Sequence, residues 1–435
     1  MISVSKKDTR TGFDKFGLKE ALLRGVRGAG FENPRPIQAE TIPAGLKGRD
    51  VLGLAQTGTG KTAAFALPLL QRILEGRGGK GPRALVLAPT RELATQISEE
   101  IRTLSRFTPV RMITIYGGVS IHNQIGALRA RPDIVVGCPG RVLDLLQQRK
   151  LRLDEVETLV LDEADHMFDM GFLPDIRKIL SALPRNRQNL LFSATMPKEI
   201  RRLADDLLSD PQVVELADAM PASTIDHALF PVAEGRKRDL LEHLLRQKDC
   251  DSAIVFTRTK HRARRLAEQL EKAGHRAVGL QGNMSQGQRD RAMKGFRARR
   301  FDILVATDIA ARGIDVSGVS HVINYDVPNT PEAYTHRIGR TGRSECEGIA
   351  CTFVTSADTG WVRATERMIG APIQRRKVEG FETEKFLKLE PAQSARPRPR
   401  PRPRPGASAT DPRPEGQARN RRSRPSRGRS RKRAA

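Results

Sequence analysis

Aromatic residues are scarce in this chain, at 4 % of 435 residues with a single tryptophan, too few for a broad platform that stacks and reads bases. Cysteine is scarcer still. Cys138, Cys250, Cys346 and Cys351 show no Cys-x-x-Cys spacing and no matching histidine cluster, so neither a zinc site nor a disulfide framework is indicated. Reduced thiols in a cytosol-like compartment are the expectation. Apolar runs are of strand or helix length and fall far below the roughly 20 residues of a membrane span. Residues 1–16 are polar and charged, without the apolar core of a secretory signal. These absences predict a soluble, cytoplasmic protein with no membrane partner. Negative charge is also in short supply: 50 acidic residues face 76 basic ones, a formal charge of +26.

Such an excess is an argument about partners, and a polyanion leads. Half of it lies in residues 391–435, where fourteen Arg and Lys432 face only Asp411 and Glu415. That stretch runs through Arg-Pro repeats into Arg, Ser and Gly and cannot bury enough apolar surface to fold, so a disordered basic tail is expected. The whole chain has length for two or three domains.

Residues 1–12 read as an N-terminal tail. From Phe13 the chain looks folded: Leu18, Ala21, Leu22 and Val26 recur at helical spacing, and Gly30 follows as a stop. Beyond a proline-punctuated loop at 31–38, strands at 51–54, 83–89, 110–116, 133–137, 158–165 and 189–195 alternate with helices. Near-continuous apolar strands separated by helices predict a parallel sheet covered on both faces, with ligands at the carboxyl ends of the strands. The pattern lapses over a proline-containing linker at 211–223. It restarts with strands at 252–257, 276–280, 301–308, 321–325 and 349–354. The reading is an α/β chain of two tandem parallel-sheet domains, 13–210 and 224–375, followed by an extension at 376–390 and the basic tail.

Chemistry concentrates in the run from Val51 through Ala55, Gln56, Thr57, Gly58, Thr59 and Gly60 to Lys61 and Thr62. A strand feeding a small-residue turn onto a helix N-terminus leaves backbone N–H groups converging on one spot, and the helix dipole adds positive potential there. Lys61 adds a full charge aimed at outer phosphates, and the Thr62 hydroxyl suits Mg²⁺. The general phosphate-loop pattern has Gly where this chain has Ala55. Downstream, the apolar strand Leu159-Val160-Leu161 ends in Asp162 and Glu163. Asp162 is placed to hold the metal through water, and Glu163, one step on, to polarise an attacking water. An ordinary glycine turn or a solvated acidic turn would explain either element alone.

Asp162-Glu163-Ala164-Asp165 also carries a family resemblance. The chain resembles a DEAD-box ATP-dependent RNA helicase of the compact bacterial kind over roughly 13–355, with almost every family motif present and in order. The resemblance implies two RecA-like domains of the P-loop NTPase class, with ATP and Mg²⁺ as cofactors. It implies that Phe13 stacks on adenine and Gln38 bonds its edge, although Arg35 stands where the family usually has Thr. It also accounts for Ala55, which the helicase form of the loop carries. Ser193-Ala-Thr195 would couple the acidic strand to the second domain. Pro89, Thr90, Arg91, Gly117, Gly118 and Arg141 would line the RNA path of the first domain, with Cys138 where the family usually has Thr. In the second domain, Gln286, Arg289 and Thr307 would face RNA and Asp315 the ribose of ATP. Arg340 and Arg343 of His336-Arg337-Ile338-Gly339-Arg340-Thr341-Gly342-Arg343 would reach the γ-phosphate.

That last run stands out without any family. Arg337, Arg340, Arg343 and His336, if protonated, make a cationic cluster that is hard to place in a core; it reads as a solvated helix face or as an end aimed at an anion. Phosphoryl transfer is catalysed mainly by positioning and charge neutralisation, and an arginine from another domain can contribute about 10³–10⁵ in rate. Hydrolysis would then require closure of the two domains, which makes the ATPase a conformational switch. RNA, gripped through its backbone with little sequence preference, is the expected polyanion. A monomer with ribosomal or RNA-decay proteins as further partners, acting in ribosome biogenesis, completes the expectation. Two alternatives remain at this stage: an RNA-binding scaffold or annealing chaperone without turnover, and a DNA-directed motor of the same build.

Overall fold

The computed structural model describes residues 12–55, 58–76, 79, 81–216, 225–311, 319–342, 348–378 and 381. The first sheet comprises β1 (Val51–Leu54), β2 (Ala84–Leu87), β3 (Met112–Ile115), β4 (Ile134–Gly137), β5 (Thr158–Leu161), β6 (Gln188–Ser193) and β7 (Gln212–Glu215). The second comprises β8 (Ile225–Pro231), β9 (Ala253–Phe256), β10 (Ala277–Leu280), β11 (Ile303–Ala306), β12 (His321–Asn324), β13 (Gly348–Val354) and β14 (Gln374–Arg375). All pairings are parallel. The orders are β3-β4-β2-β5-β6-β1-β7 and β10-β11-β9-β12-β13-β8-β14. Counted from β8, the second order repeats the first. Two domains without a visible sequence repeat therefore share one winding, as the alternation of buried strand and amphipathic helix predicts.

Each sheet is covered on both faces. Along β2, Ala84 and Val86 join the core formed with Phe65, Leu69 and Ile97, while Leu85 and Leu87 join the opposite core with Val142, Leu145 and Ile176. In the second domain, Ile254 and Phe256 face Phe296 and Tyr334, whereas Ala253 and Val255 face Leu240 and Leu266. The helix Lys61–Glu75 is held at its far end by Arg83. This buried guanidinium bonds Glu157 at 2.8 Å and the carbonyl oxygens of Ile73 at 2.8 Å and Arg72 at 3.3 Å, satisfying acceptors that the helix leaves open. Among the described residues no helix is long and apolar enough to cross a membrane.

The linker prediction is corrected at its N-terminal end, and the second domain gains a strand that the sequence reading did not pick out. Gln212–Glu215 is an edge strand, paired with β1 from Val51↔Gln212 onward. Only Val214 of its four residues is buried, so it carries no apolar run to find. Ile225–Pro231 is an interior strand between β13 and β14. Asp226 and His227 interrupt its apolar pattern, and His227 is matched by a 2.8 Å contact between Nδ1 and the Tyr334 hydroxyl. The first domain thus reaches Leu216 and the second begins by Ile225. Residues 217–224, most of the 376–390 extension and the basic tail lie outside the described residues.

Candidate functional site

The order β5-β6-β1 places three functional strand ends side by side. At the end of β1, Gly60 adopts φ +92° and opens the helix Lys61–Glu75 without a capping side chain. Only glycine fits there: a Cβ would lie 2.6 Å from Gln38 Nε2. Lys61 is buried, donates from Nζ to Ala55 O at 3.0 Å and lies 3.7 Å from Asp162 Oδ1. Thr62 faces Glu100, whose carboxyl also takes the Ala63 N–H; burial raises the Glu100 pKa, and the negative charge of Asp162 adds to the rise. Gly58 and Thr59 belong to the same turn, whereas Gln56 and Thr57 lie outside the described residues.

At the end of β5, burial pushes the Asp162 carboxyl up, Glu163 adds to the rise, and Lys61 opposes it. Glu163 follows with φ +54°, a left-handed conformation that a non-glycine residue adopts at a cost of roughly 1–2 kcal/mol. Such strain collects at functional sites. Its N–H donates to Asp162 Oδ1 at 3.0 Å, and its Oε2 lies 2.8 Å from His166 Nδ1. At the end of β6, Ser193 Oγ accepts from the Asp165 N–H at 3.3 Å. Asp165 Oδ2 accepts from both the N–H and the hydroxyl of Thr195 at 2.9 Å.

The second domain reaches this cluster through the helix Pro331–Ile338. His336 Nδ1 stands 3.5 Å from His166 Nε2, with the rings edge to face. Burial pushes His336 down to about 4, reinforced by His166 and Arg340 and opposed by Asp165 and Glu163, so it is neutral at pH 7. The expected cationic cluster is therefore smaller than its sequence suggests. Arg337 also leaves it, because its guanidinium is buried in the domain core. It bonds Asp308 at 2.7 Å, Asn324 Oδ1 at 3.0 Å and the Asp326 carbonyl at 2.7 Å. A buried arginine is tolerated when its donors are matched in this way. Arg340, 9 % exposed, borders a small cavity together with His166 and His336. Arg343 and Asp315 lie outside the described residues.

The loop before the phosphate turn is tied to it. Gln38 is fully buried; its Nε2 donates to Gly60 O at 3.1 Å and its Oε1 accepts the Arg35 N–H at 2.9 Å. The Arg35 guanidinium donates to Gly58 O at 2.7 Å, a contact that the usual Thr could not span. Phe13 is buried edgewise against Phe16 and Phe31 and borders a cavity of about 380 Å³.

A separate cleft of about 440 Å³ gathers Pro89, Thr90, Arg91, Gly117, Cys138 and Arg141 from the first domain and Gln286 and Arg289 from the second. Arg91 donates to Gln286 Oε1 at 2.9 Å, and Arg289 pairs with Glu92 at 2.7 Å. Gly118, at φ +77°, lets the Arg91 guanidinium pass where a Cβ would lie 2.2 Å from it. Burial pushes the Cys138 thiol up to about 12, so it stays protonated. Thr307 is buried at the end of β11 and does not border this cleft. Glu92 falls within the RNA-path motif read from sequence at 89–94, whereas nothing in the sequence reading pointed to Glu100 or His166. His166 adjoins the acidic run, and Glu100 has no local signal at all.

The chain matches the family model described as DEAD/DEAH box helicase over residues 35–203 and that of the helicase conserved C-terminal domain over residues 236–345. It is 49 % identical over 357 residues to the ATP-dependent RNA helicase CshA of Listeria monocytogenes, covering 82 % of this chain and 68 % of that protein. It is 46 % identical over 366 residues to the DEAD-box ATP-dependent RNA helicase CshA of Bacillus subtilis, covering 84 % and 74 %. Among solved structures, S. cerevisiae Dbp5 bound to RNA and ADP BeF3 superimposes with a TM-score of 0.76 at 33 % identity, covering 85 % of this chain and 96 % of that one. A glycine turn joined to a paired-acid strand end, repeated winding and extended identity lead to one conclusion: this chain belongs to the DEAD/DEAH box helicases, enzymes that hydrolyse ATP.

Proposed function

We propose that this helicase couples RNA-stimulated ATP hydrolysis to local separation of RNA duplexes, gripping one strand through its backbone with little regard to sequence. One observation carries the reading. The same two domains meet at two places, through His166 and His336 beside the acid pair and through Arg91–Gln286 and Arg289–Glu92 in the cleft. A single closure therefore governs both sites. The solved Dbp5 structure, bound to RNA and ADP BeF3, supports RNA as the polyanion.

In this reading Phe13 and Gln38 select adenine, Asp315 holds ribose, and Gln56 through Lys61 cradle the phosphates. Thr62, next to Lys61, and Asp162, 3.7 Å from the Lys61 amine, offer hard oxygen donors of the kind that fits Mg²⁺. When bound, the ion would neutralise phosphate charge. Glu163 takes the proton of the attacking water, and Arg340 with Arg343 stabilises the charge that develops on the γ-phosphate. Pro89, Thr90, Arg91, Gly117, Gly118 and Arg141 hold the strand on one side, and Gln286 and Arg289 on the other. We place the enzyme in the cytoplasm as a monomer, with ribosomal or RNA-decay proteins as partners.

The raised Asp162 pKa has a pH consequence. A protonated carboxyl is a poor metal ligand, and a raised pKa means that protonation begins nearer neutrality. Mg²⁺·ATP affinity should therefore fall in mildly acidic buffer, above the usual carboxylate range. A titration of nucleotide binding against pH, with and without Mg²⁺, checks this. The basic tail should add non-specific affinity. If about seven of its charges reach phosphates, it contributes a slope of about −5 in log K against log salt on single strands. Removing residues 391–435 should lower the measured slope by that amount; an unchanged slope rejects the tethering role.

Phosphate release with RNA, with DNA of the same sequence, and without either tests the function itself. The reading expects stimulation by RNA alone. No stimulation would indicate a scaffold, and equal stimulation by DNA a motor without RNA preference.

A further inference from the structure

The lack of cysteine-based metal spacing does not exhaust the chain's ligands, because folding joins residues 170 positions apart. Asp165, His166 and His336 bring a carboxylate oxygen and two imidazole nitrogens within 4.8 Å of one another, where the two domains touch. The proton positions can be argued from their neighbours. His166 Nδ1 lies 2.8 Å from Glu163 Oε2; with its hydrogen on Nδ1, a neutral His166 ring presents the Nε2 lone pair to an ion.

That lone-pair nitrogen is 3.5 Å from His336 Nδ1, longer than a good N–H···N bond. Two nitrogens each about 2.0–2.1 Å from a tetrahedral ion stand roughly 3.4 Å apart. The observed separation matches two ligands of one metal. A carboxylate behind the ligating imidazole, here Glu163, is the arrangement that fixes ring orientation in metal sites. Asp165 accepts the His166 N–H and both Thr195 donors, which holds its carboxylate in place, and a carboxylate has lone pairs left for an ion. A cavity of about 30 Å³ beside the two histidines has room for one water as a fourth ligand. The charges near the group are Glu163, Asp165 and Asp308 on one side and Arg340, Arg337 and Lys61 on the other, with Arg337 paired to Asp308 and Lys61 beside Asp162.

We infer that Asp165, His166 and His336 form a site for a transition-metal ion of the Zn²⁺ or Co²⁺ class, which ties the two domains together and slows the helicase cycle. Its two nitrogen donors separate it from the all-oxygen Mg²⁺ set at Thr62 and Asp162. The slowing rests on the reading that turnover requires the domains to part; the binding does not.

The test is a titration of the full chain with Co²⁺, followed by visible absorption. One equivalent should give the intense visible band of a tetrahedral nitrogen–oxygen site, and Zn²⁺ should displace it. His166→Ala and His336→Ala should each abolish the band with circular dichroism unchanged. Glu163→Gln should weaken binding about 10–100-fold by loosening the ring that it orients. His122→Ala, an exposed histidine elsewhere, should leave the band intact. A band that survives in His166→Ala, thiolate charge-transfer absorption in its place, or no band at all would overturn the site. A proper Co²⁺ band without Zn²⁺ inhibition of RNA-stimulated phosphate release, reversible by chelator, would overturn the brake.

Discussion

Glu163→Gln is expected to bind ATP and RNA together but to lower RNA-stimulated phosphate release by about 10²–10⁴, the usual contribution of a positioned general base. The substitution keeps shape and removes the basic oxygen. Glu163 sits at the strand end beside the buried Lys61–Asp162 pair and is held there by its left-handed backbone and the His166 contact. A glutamine retains a carbonyl oxygen for His166 Nδ1–H, so the turn should persist. With hydrolysis blocked and binding preserved, the protein should stay on RNA, and single-strand dissociation should slow in ATP. Stopped-flow release of labelled RNA and a steady-state phosphate assay measure the two halves. Unchanged turnover would remove Glu163 from the base role.

Arg340→Ala is expected to leave ATP affinity within a few fold of the parent and to reduce turnover by about 10³–10⁵. The asymmetry follows from topology. The phosphate loop lies wholly in the first domain, so binding does not need Arg340; a charge brought from the second domain acts only once the domains meet. Arg340 is placed for this by the turn that follows the helix Pro331–Ile338, which Arg337 anchors from inside the core. The control is Arg337→Ala. It should lose thermal stability, because it leaves Asp308 and Asn324 without their partner. An Arg340→Ala enzyme with normal turnover, or one that loses ATP binding in proportion, would exclude a role confined to hydrolysis.

The arrangement of the first domain was legible because its chemistry is local. Gly60, Lys61 and Thr62 are consecutive, and so are Asp162 and Glu163; buried strands of four apolar residues point to a parallel sheet. What escaped was set by distance or by partners. β7 buries a single side chain, and β8 carries Asp226 and His227, whose places are explained only once the sheet is assembled. Arg337 and Arg340 look equivalent three positions apart on a helical turn. Burial separates them: one satisfies carbonyl and carboxylate acceptors in the core, the other faces the opposite domain. Glu100 is an ordinary helix glutamate until two helices pack and bring it to Thr62. Arg35, an oddity beside its family, finds its reason in the Gly58 carbonyl.

Linkage between the ATP site and the RNA cleft is measured directly by one experiment. The affinity of the full chain for a single-stranded RNA is determined with a non-hydrolysable ATP analogue, with ADP and with neither, at fixed salt. Shared closure predicts binding at least about tenfold tighter with the analogue than with ADP, within the usual range of coupling between sites. Equal affinity under all three conditions would contradict it.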